Sequence, residues 1–308
     1  MTERGYQVNV IIPTYKPDVK FHKLMKMLAR QTYPIQKILV MNTEKAYFPE
    51  AAVEGIPNVQ VEHLVKADFD HGGTRDRAAS LLSGDLFLYM TQDAVPADEK
   101  LVEELVKAFS EKEVKAAYAR QLPDTDCGIV ERYTRSFNYP EQPSVKSKKD
   151  LPKYGIKTFF CSNVCAMYRA EIYRKLGGFE KHTIFNEDMI FAGKIIKAGG
   201  SIAYVPEAKV IHSHNYGNLE QLHRNFDLAV SQADHPEIFQ MASSESEGMR
   251  LVKKTAMHLV KMGKPWLIPD LIIKSGFKFL GYRLGKSYRK LPKKLIKWLT
   301  MNKGYWEF

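Results

Sequence analysis

Cysteine is scarce in this chain of 308 residues, which holds only Cys127, Cys161 and Cys165. Three cysteines cannot all pair, and a C-x-x-x-C without a second pair does not make a zinc site, so free thiols in a reducing compartment are expected. No window of 18 apolar residues occurs, because Asp270, Lys274 and Lys278 interrupt the best candidate, and no spanning helix is expected. The opening MTERGYQVNVIIP has no basic stretch leading into an apolar run, so no secretory leader is expected either. The dinucleotide pattern G-x-G-x-x-G, internal repeats and low-complexity tracts are also absent. What remains is a globular composition, 44% hydrophobic, 26% charged and 11% aromatic, which excludes collagen-like, disordered and mini-protein classes.

Charge is present but unevenly placed. The last 60 residues hold 15 Lys+Arg against 2 Asp+Glu, a net of +13, whereas residues 1–248 hold 31 against 33, a net of −2. A basic tail of this kind suits an anionic surface, either acidic lipid or nucleic acid.

Along the chain, VNVIIPTY (8–15) reads as a buried strand, Leu24, Met27, Leu28 and Gln31 follow at helical spacing, and KILVMN (37–42) is a second strand. VQVEHL (59–64) is a third strand, GTRDRAASLLSGD (73–85) a helix, DLFLYM (85–90) a fourth strand and residues 98–109 an amphipathic helix. Further on come a polar, proline-bearing stretch at 140–157 expected to be a mobile loop, a helix at 169–176, a NEDMIFAGKIIKAG helix and a last strand SIAYVP. The alternation predicts an α/β doubly wound sheet, in which ligands bind at the carboxyl ends of the strands. TYKP, NTE and TQDA then face one crevice.

Several segments carry chemistry, each with a plainer alternative. Asp93 ends a buried apolar strand, where an ionised carboxylate needs a cationic partner such as a divalent metal, unless it only caps the next helix. NEDM places Glu187 and Asp188 at a helix start, either as N-terminal charges or as a general base. HSH (212–214) follows a strand ending on the same edge, and imidazole suits a divalent ion as well as a structural role. HGGTRDRA (71–78) offers close backbone approach and Arg75 to an anionic diphosphate, or is simply a glycine turn before a helix.

In order, VIIPTY, HGGTRD, FLYMTQDA, RQLP, GGF…NEDM and VIHSH make the chain similar to the inverting glycosyltransferases of family 2, with the GT-A fold, over residues 6–216. Within that family it looks most like bacterial rhamnosyltransferases. The resemblance implies a Rossmann-like GT-A domain over 1–216, after which the chain itself reads as a connecting helical segment at 217–248 and a basic amphipathic extension at 249–308. It implies that Thr14, Tyr15 and Asn42 meet the nucleoside, Asn42 standing where many relatives have aspartate. It places His71, Gly72 and Arg75 at the donor diphosphate, and Arg120 and Gln121 at the sugar. Asp93 and His212, which fits better than His214, would hold Mg²⁺ or Mn²⁺, with Gln92 replacing the usual upstream acid. Asp188, beside Glu187, would be the base, and Ser162 and Asn163 would lie near the acceptor. The donor implied is a nucleotide sugar such as dTDP-rhamnose, and the acceptor a lipid-linked saccharide. A UDP-sugar donor, a nucleotidyltransferase and a non-catalytic adaptor on the same fold are the alternatives.

The tail carries apolar stripes opposite basic faces: Ile273, Phe277, Leu280, Leu284, Tyr288 and Leu291 against Lys274, Lys278, Lys286, Arg289 and Lys290, and Leu251, Val252, Thr255 and Leu259 against Lys253, Lys254 and Lys261. With Trp298 and Trp306 they predict docking on the inner face of the cell membrane by an otherwise cytoplasmic protein. The alternative is that these stripes pack on the catalytic domain or on a second copy. No RNA-binding signature is present, so nucleic acid is not expected as a partner.

Overall fold

A computed structural model of the chain describes residues 5–241 and 245–306, with the side chains of 245 and 246 left aside. Residues 1–4, at the start of the stretch read as lacking a leader, and 242–244, inside the expected connecting segment, lie outside the described residues. The first half runs β1 Val8–Tyr15, α1 Val19–Leu28, β2 Ile35–Thr43, β3 Val59–Leu64, α2 His71–Ser80, β4 Leu86–Met90, β5 Val95–Pro96 and α3 Leu101–Lys107. Then follow β6 Val114–Leu122, α4 Ile129–Asn138, β7 Ser144–Lys146, α5 Leu151–Tyr154, β8 Cys165–Arg169, α6 Ala170–Lys175, α7 Glu187–Lys197 and β9 Ser201–Ile211. The remainder is helical: α8 Asn218–Asp234, α9 Pro236–Phe239, α10 Glu245–Lys261, α11 Ile268–Lys286 and α12 Lys293–Leu299.

The strands form one sheet in the order β3-β2-β1-β4-β8-β6-β9-β5, with β7 paired to β9. β1 is parallel to β2 and β4, β6 is parallel to β9, and β8 runs antiparallel between β4 and β6. The carboxyl ends of β1, β2, β4, β6 and β9 therefore share one edge with the start of β8, and that edge holds the site. β1 shows how the two-residue period builds the layers. Val8, Val10 and Ile12 pack with Phe21, Leu24, Leu101 and Phe109 on one face, while Ile11 joins Tyr89, Ile190 and Phe191 on the other. The three cysteines are free and buried.

Four expectations are corrected. The second helix begins at His71, with Asp70 accepting from the Gly73 amide, so both glycines lie in the first turn. The third helix begins at Leu101 behind Lys100, which removes Asp93 as its cap. Residues 140–157 are not a loose loop. β7 pairs with β9, Asp150 accepts from the Ser147 amide at 2.9 Å, and buried Lys146 donates to the carbonyls of Lys157 and Phe160 at 2.9 and 2.7 Å and to Tyr118 Oη at 3.1 Å. Those bonds draw the chain down onto the sheet just before Ser162.

The fourth correction concerns the tail. Leu251, Val252, Thr255 and Leu259 do face inward on α10, but α11 meets α8 through Gly281 and Gly285, where an added Cβ would strike the Leu222 and Phe226 carbonyls. Ile273 and Leu280 consequently point outward, and Lys278, expected on the outer face, turns inward. Phe277, Leu284, Tyr288, Leu291 and Trp306 pack beside Leu222, Phe226 and Leu299. No described helix is long and apolar enough to cross a membrane.

Asp227 on α8 locks the end of the chain, accepting from Thr300 Oγ1 at 2.7 Å and the Met301 amide at 2.9 Å. Burial raises its carboxyl from 3.8 to about 6 against the pull of those two donors. A folded-state value above the unfolded one means this group's contribution is full below pH 3.8 and is lost as pH rises through about 6. Asp227→Ala strands both donors and is expected to lower unfolding free energy by about 2 kcal/mol, read by urea denaturation at pH 5.

Candidate active site

Asp93 sits just past β4, and His212 and His214 just past β9, so two parallel strands deliver them to the same edge. Asp93 Oδ2 lies 3.4 Å from His212 Nε2 and 3.2 Å from His214 Nε2, and the two imidazole nitrogens are 3.0 Å apart. Burial opposes ionisation of Asp93, but the His212 hydrogen bond, the neighbouring His212 and His214 rings and Thr91 together hold its carboxyl well below the usual range. Burial, then His212, brings the His214 imidazole down to about 4, so it is neutral at pH 7.

Gln121, at the end of β6, fixes the tautomer. Its Oε1 accepts from the Arg135 guanidinium, which can only donate, and lies 3.0 Å from His212 Nδ1. Nδ1 therefore carries a proton, and Nε2 is the ring atom that faces Asp93 and His214. The three ligand atoms fall within 4.8 Å of one another. One ionised carboxylate, two imidazoles and an outer hydrogen bond that orients one of them fit a divalent cation.

The same glutamine reaches the second half of the site. Gln121 Nε2 donates to Ser162 Oγ at 3.2 Å, and the next residue, Asn163, gives its amide to Asp188 Oδ2 at 3.0 Å and its Nδ2 to Glu187 Oε1 at 3.3 Å. Tyr168 Oη donates to Asn163 Oδ1 at 2.9 Å and holds it in place. Asn186, in the left-handed region at φ 64°, turns the chain so that α7 starts with both carboxylates facing this loop. Their environments differ. Glu187 is buried against Arg75 at 3.3 Å, and that cation, after His71 and Asn163 are added, outweighs burial and keeps it ionised. Asp188 remains partly accessible, and enclosure together with the Glu187 charge pushes its carboxyl well above the ordinary range. Adjacent carboxylates pushed apart in this way differ in what they can do: Glu187 is held in an ion pair, whereas Asp188 is the one able to take up a proton.

The remaining expected residues take different places. Gln92 does not stand in as a ligand acid; its Oε1 accepts from the Tyr15 amide at 2.8 Å and its Nε2 donates to the Tyr15 carbonyl at 3.1 Å, clamping β1 to β4. Tyr15 is exposed in the crevice beside Tyr47, with Lys16 over the Tyr47 ring. Thr14 and Asn42 are buried and bonded to each other at 3.0 Å, and Asn42 also reaches His63 and the Glu44 carbonyl, so they shape the floor rather than enter the crevice. Arg75 is buried, donates to the His71 carbonyl and pairs with Glu187, so it orients α7 instead of meeting a diphosphate. Gly72 is required by the Glu180 carbonyl pressed against it, and His71 packs between Phe69 and Phe185. Arg120 pairs with Glu141 at 3.2 Å at the rim.

A family model described as glycosyl transferase family 2 matches residues 9–177, more than half of the chain. The chain belongs to glycosyl transferase family 2. It is 37% identical over 302 residues to the O-antigen chain rhamnosyltransferase RfbN of Salmonella typhimurium, covering 97% of this chain and 96% of that one. The same identity extends over 301 residues to the O-antigen chain rhamnosyltransferase WbaN of Salmonella anatum, covering 96% and 95%. Among solved structures, the mannosyltransferase PcManGT of Pyrobaculum calidifontis with GDP-Man and Mn²⁺ superposes with TM-score 0.57 at 16% identity, over 98% of this chain and 86% of that one. S. aureus TarS with UDP-GlcNAc gives 0.52 at 14%, over 92% of each. These likenesses establish the GT-A fold, and the chain is a glycosyltransferase. His214, which the sequence reading placed behind His212, stands in the same cluster. An i, i+2 pair in extended chain puts both imidazoles on one face, and that signal was present in HSH.

Proposed function

We propose that the chain is an inverting rhamnosyltransferase that moves L-rhamnose from dTDP-rhamnose to a lipid-linked saccharide during surface polysaccharide synthesis. The observation that carries the reaction class is the continuous chain of contacts from His212 through Gln121, Ser162 and Asn163 to Asp188, which holds a base and a cation site at a set separation on one strand edge. The rhamnosyl assignment rests on the near full-length match to the two Salmonella proteins.

Asp188 removes the proton of an acceptor hydroxyl entering past Ser162, and the hydroxyl oxygen attacks the anomeric carbon from the side opposite the diphosphate. Asn163 and the Met189 amide, 2.7 Å from Asp188 Oδ1, keep the carboxylate aimed. Asp93, His212 and His214 would hold Mg²⁺ or Mn²⁺, which would supply Lewis-acid stabilisation of charge on the leaving diphosphate. Tyr15 and Tyr47 offer faces to the nucleobase. Nucleotide release from a panel of activated sugars, with a lipid-linked saccharide present, tests the reading. Release of dTDP from dTDP-rhamnose is expected; release from UDP-sugars alone would discard the rhamnosyl assignment, and no release would discard the catalytic one.

The basic tail supports peripheral docking of this cytoplasmic enzyme on an anionic membrane. Met257, Trp266, Trp298 and Met301 are exposed there, and Lys253, Lys254 and Lys261 lie on the surface of the same region. Each basic residue near an anionic leaflet contributes about 1 kcal/mol. Co-sedimentation with phosphatidylglycerol vesicles should fall with added salt and fall again in Trp266→Ser with Met257→Ser; equal binding to neutral vesicles would sink the idea. Truncation after residue 248 is not a clean test, because α11 is built into the fold through α8.

A further inference from the structure

β7 is a three-residue strand whose alternation leaves Val145 56% exposed and Lys146 only 4% exposed. The strand is paired to β9 with Lys146 opposite Ile202, so the backbone that carries this lysine is fixed. An ammonium so enclosed is costly unless an anion joins it, and among the described residues no carboxylate does. Its three hydrogens go instead to three neutral oxygens: Tyr118 Oη at 3.1 Å, the Lys157 carbonyl at 2.9 Å and the Phe160 carbonyl at 2.7 Å. A buried cation without a counter-charge is a poor source of stability. What these bonds supply is position.

The position they fix is that of the chain just before the site. Ser162 accepts from Gln121 at 3.2 Å, and the Asn163 amide donates to Asp188 Oδ2 at 3.0 Å. Phe160 and Asn163 are three residues apart, a reach of at most roughly 11 Å in extended chain, so a shift of the Phe160 carbonyl is passed on with little slack. From the other side Tyr168 Oη donates to Asn163 Oδ1 at 2.9 Å and lies 3.5 Å from Cys161 Sγ. The segment 160–163 is thus held by Lys146 ahead of it and by Tyr168 beneath it.

We propose that Lys146 is a positioning residue for the proton acceptor: by gathering the Lys157 and Phe160 carbonyls it sets the Asn163 amide on Asp188 and so aims that carboxylate. This deepens the proposed function and rests on it for Asp188 being the base. A lysine that only filled space would leave Asp188 indifferent to its removal. The Asn163 bond favours the ionised carboxylate, so losing it raises the Asp188 carboxyl further. The other titratable groups acting on Asp188 are Glu187 and Arg75, which are paired with each other, and Cys161, Tyr139 and Tyr168, which burial keeps uncharged.

Lys146→Met keeps the apolar stem and removes all three donors. In the full chain, with an activated sugar and a lipid-linked saccharide, kcat is expected to fall about 10- to 100-fold, the effect of an ångström-scale misplacement. KM for the donor and affinity for the released nucleoside diphosphate should be unchanged. The Asp188 carboxyl is titrated by ¹³C NMR, its resonance identified by loss in Asp188→Asn, and its midpoint should move to higher pH together with the acid limb of kcat. Lys146→Gln offers two hydrogens to the three oxygens and should fall between wild type and Lys146→Met in both readouts. It decides the matter if Lys146→Met does not fold, as circular dichroism and thermal melting report. An Asp188 midpoint unmoved in a folded variant, or a loss of kcat matched by an equal loss of nucleotide affinity, would overturn the proposal; failure of both variants to fold would make the lysine structural. A wild type inactive with every donor would count against the proposed function instead, and the carboxyl titration would still decide on Lys146.

Discussion

Asp188→Asn is expected to lower kcat by roughly 10²- to 10⁴-fold while leaving dTDP binding unchanged, the range that general-base action supplies. The substitution preserves size and one acceptor oxygen, so one of the two amide contacts from Asn163 and Met189 survives and the start of α7 stays in place. What disappears is the capacity to take a proton. Because enclosure and the Glu187 charge raise the Asp188 carboxyl, the wild-type rate should fall on the acid side at a pH above the ordinary carboxylate range, and the variant's residual rate should lack that limb. Glu187→Gln separates the two carboxylates. It leaves the buried Arg75 cation unpaired, which is expected to cost about 3–5 kcal/mol of stability. If Glu187→Gln removed turnover at unchanged stability while Asp188→Asn kept full activity, the assignment would be reversed.

Chelation of divalent ions is expected to abolish turnover, and the cation site can be read without activity. Mn²⁺ at about 100 times its dissociation constant should stabilise the wild-type chain by ~2.7 kcal/mol, since the site exists only when folded. Asp93→Asn should erase that thermal shift, because it removes the one ionised ligand from the trio. Gln121→Leu should shift the metal titration by about 10–100-fold at undiminished saturating stabilisation, as loss of an outer hydrogen bond to a ligand does. A full Mn²⁺ shift in Asp93→Asn would move the cation elsewhere. No Mn²⁺ shift in the wild type would remove it altogether.

The parts of the fold that were readable in sequence are those where local pattern and burial agree. β1, β2 and β4 are continuous apolar runs, and their order with α1 and α2 announces the parallel half of the sheet. β6 and β8 escaped notice for a physical reason. VKAAYARQL and CAMYR are poor in β-branched residues, and they become strands only because each lies between two other strands with its backbone groups paired on both sides. The reversal at β8 follows from a loop fastened by Lys146, a lysine whose apparent polarity suggested a mobile segment.

The site divides along the same line. Asp93 after a buried strand, the acidic pair at 187–188 and the two histidines of HSH are chemically conspicuous, and the sequence alone marked them as a candidate base and a candidate metal cluster. Which partner each side chain takes was decided by tertiary structure. Arg75 and Glu187 are more than 100 positions apart and join because α2 and α7 pack on the same sheet face, which turns an expected donor contact into an internal ion pair. Gln92 and Gln121, read as ligand-facing, became a clamp and an orienting residue because their amides meet strand ends from distant parts of the chain. Periodicity likewise determined that the tail is helical and amphipathic. Only the close approach at Gly281 and Gly285, where a missing side chain lets two backbones touch, decided which face of α11 turned inward, and with it the inward placement of Lys278.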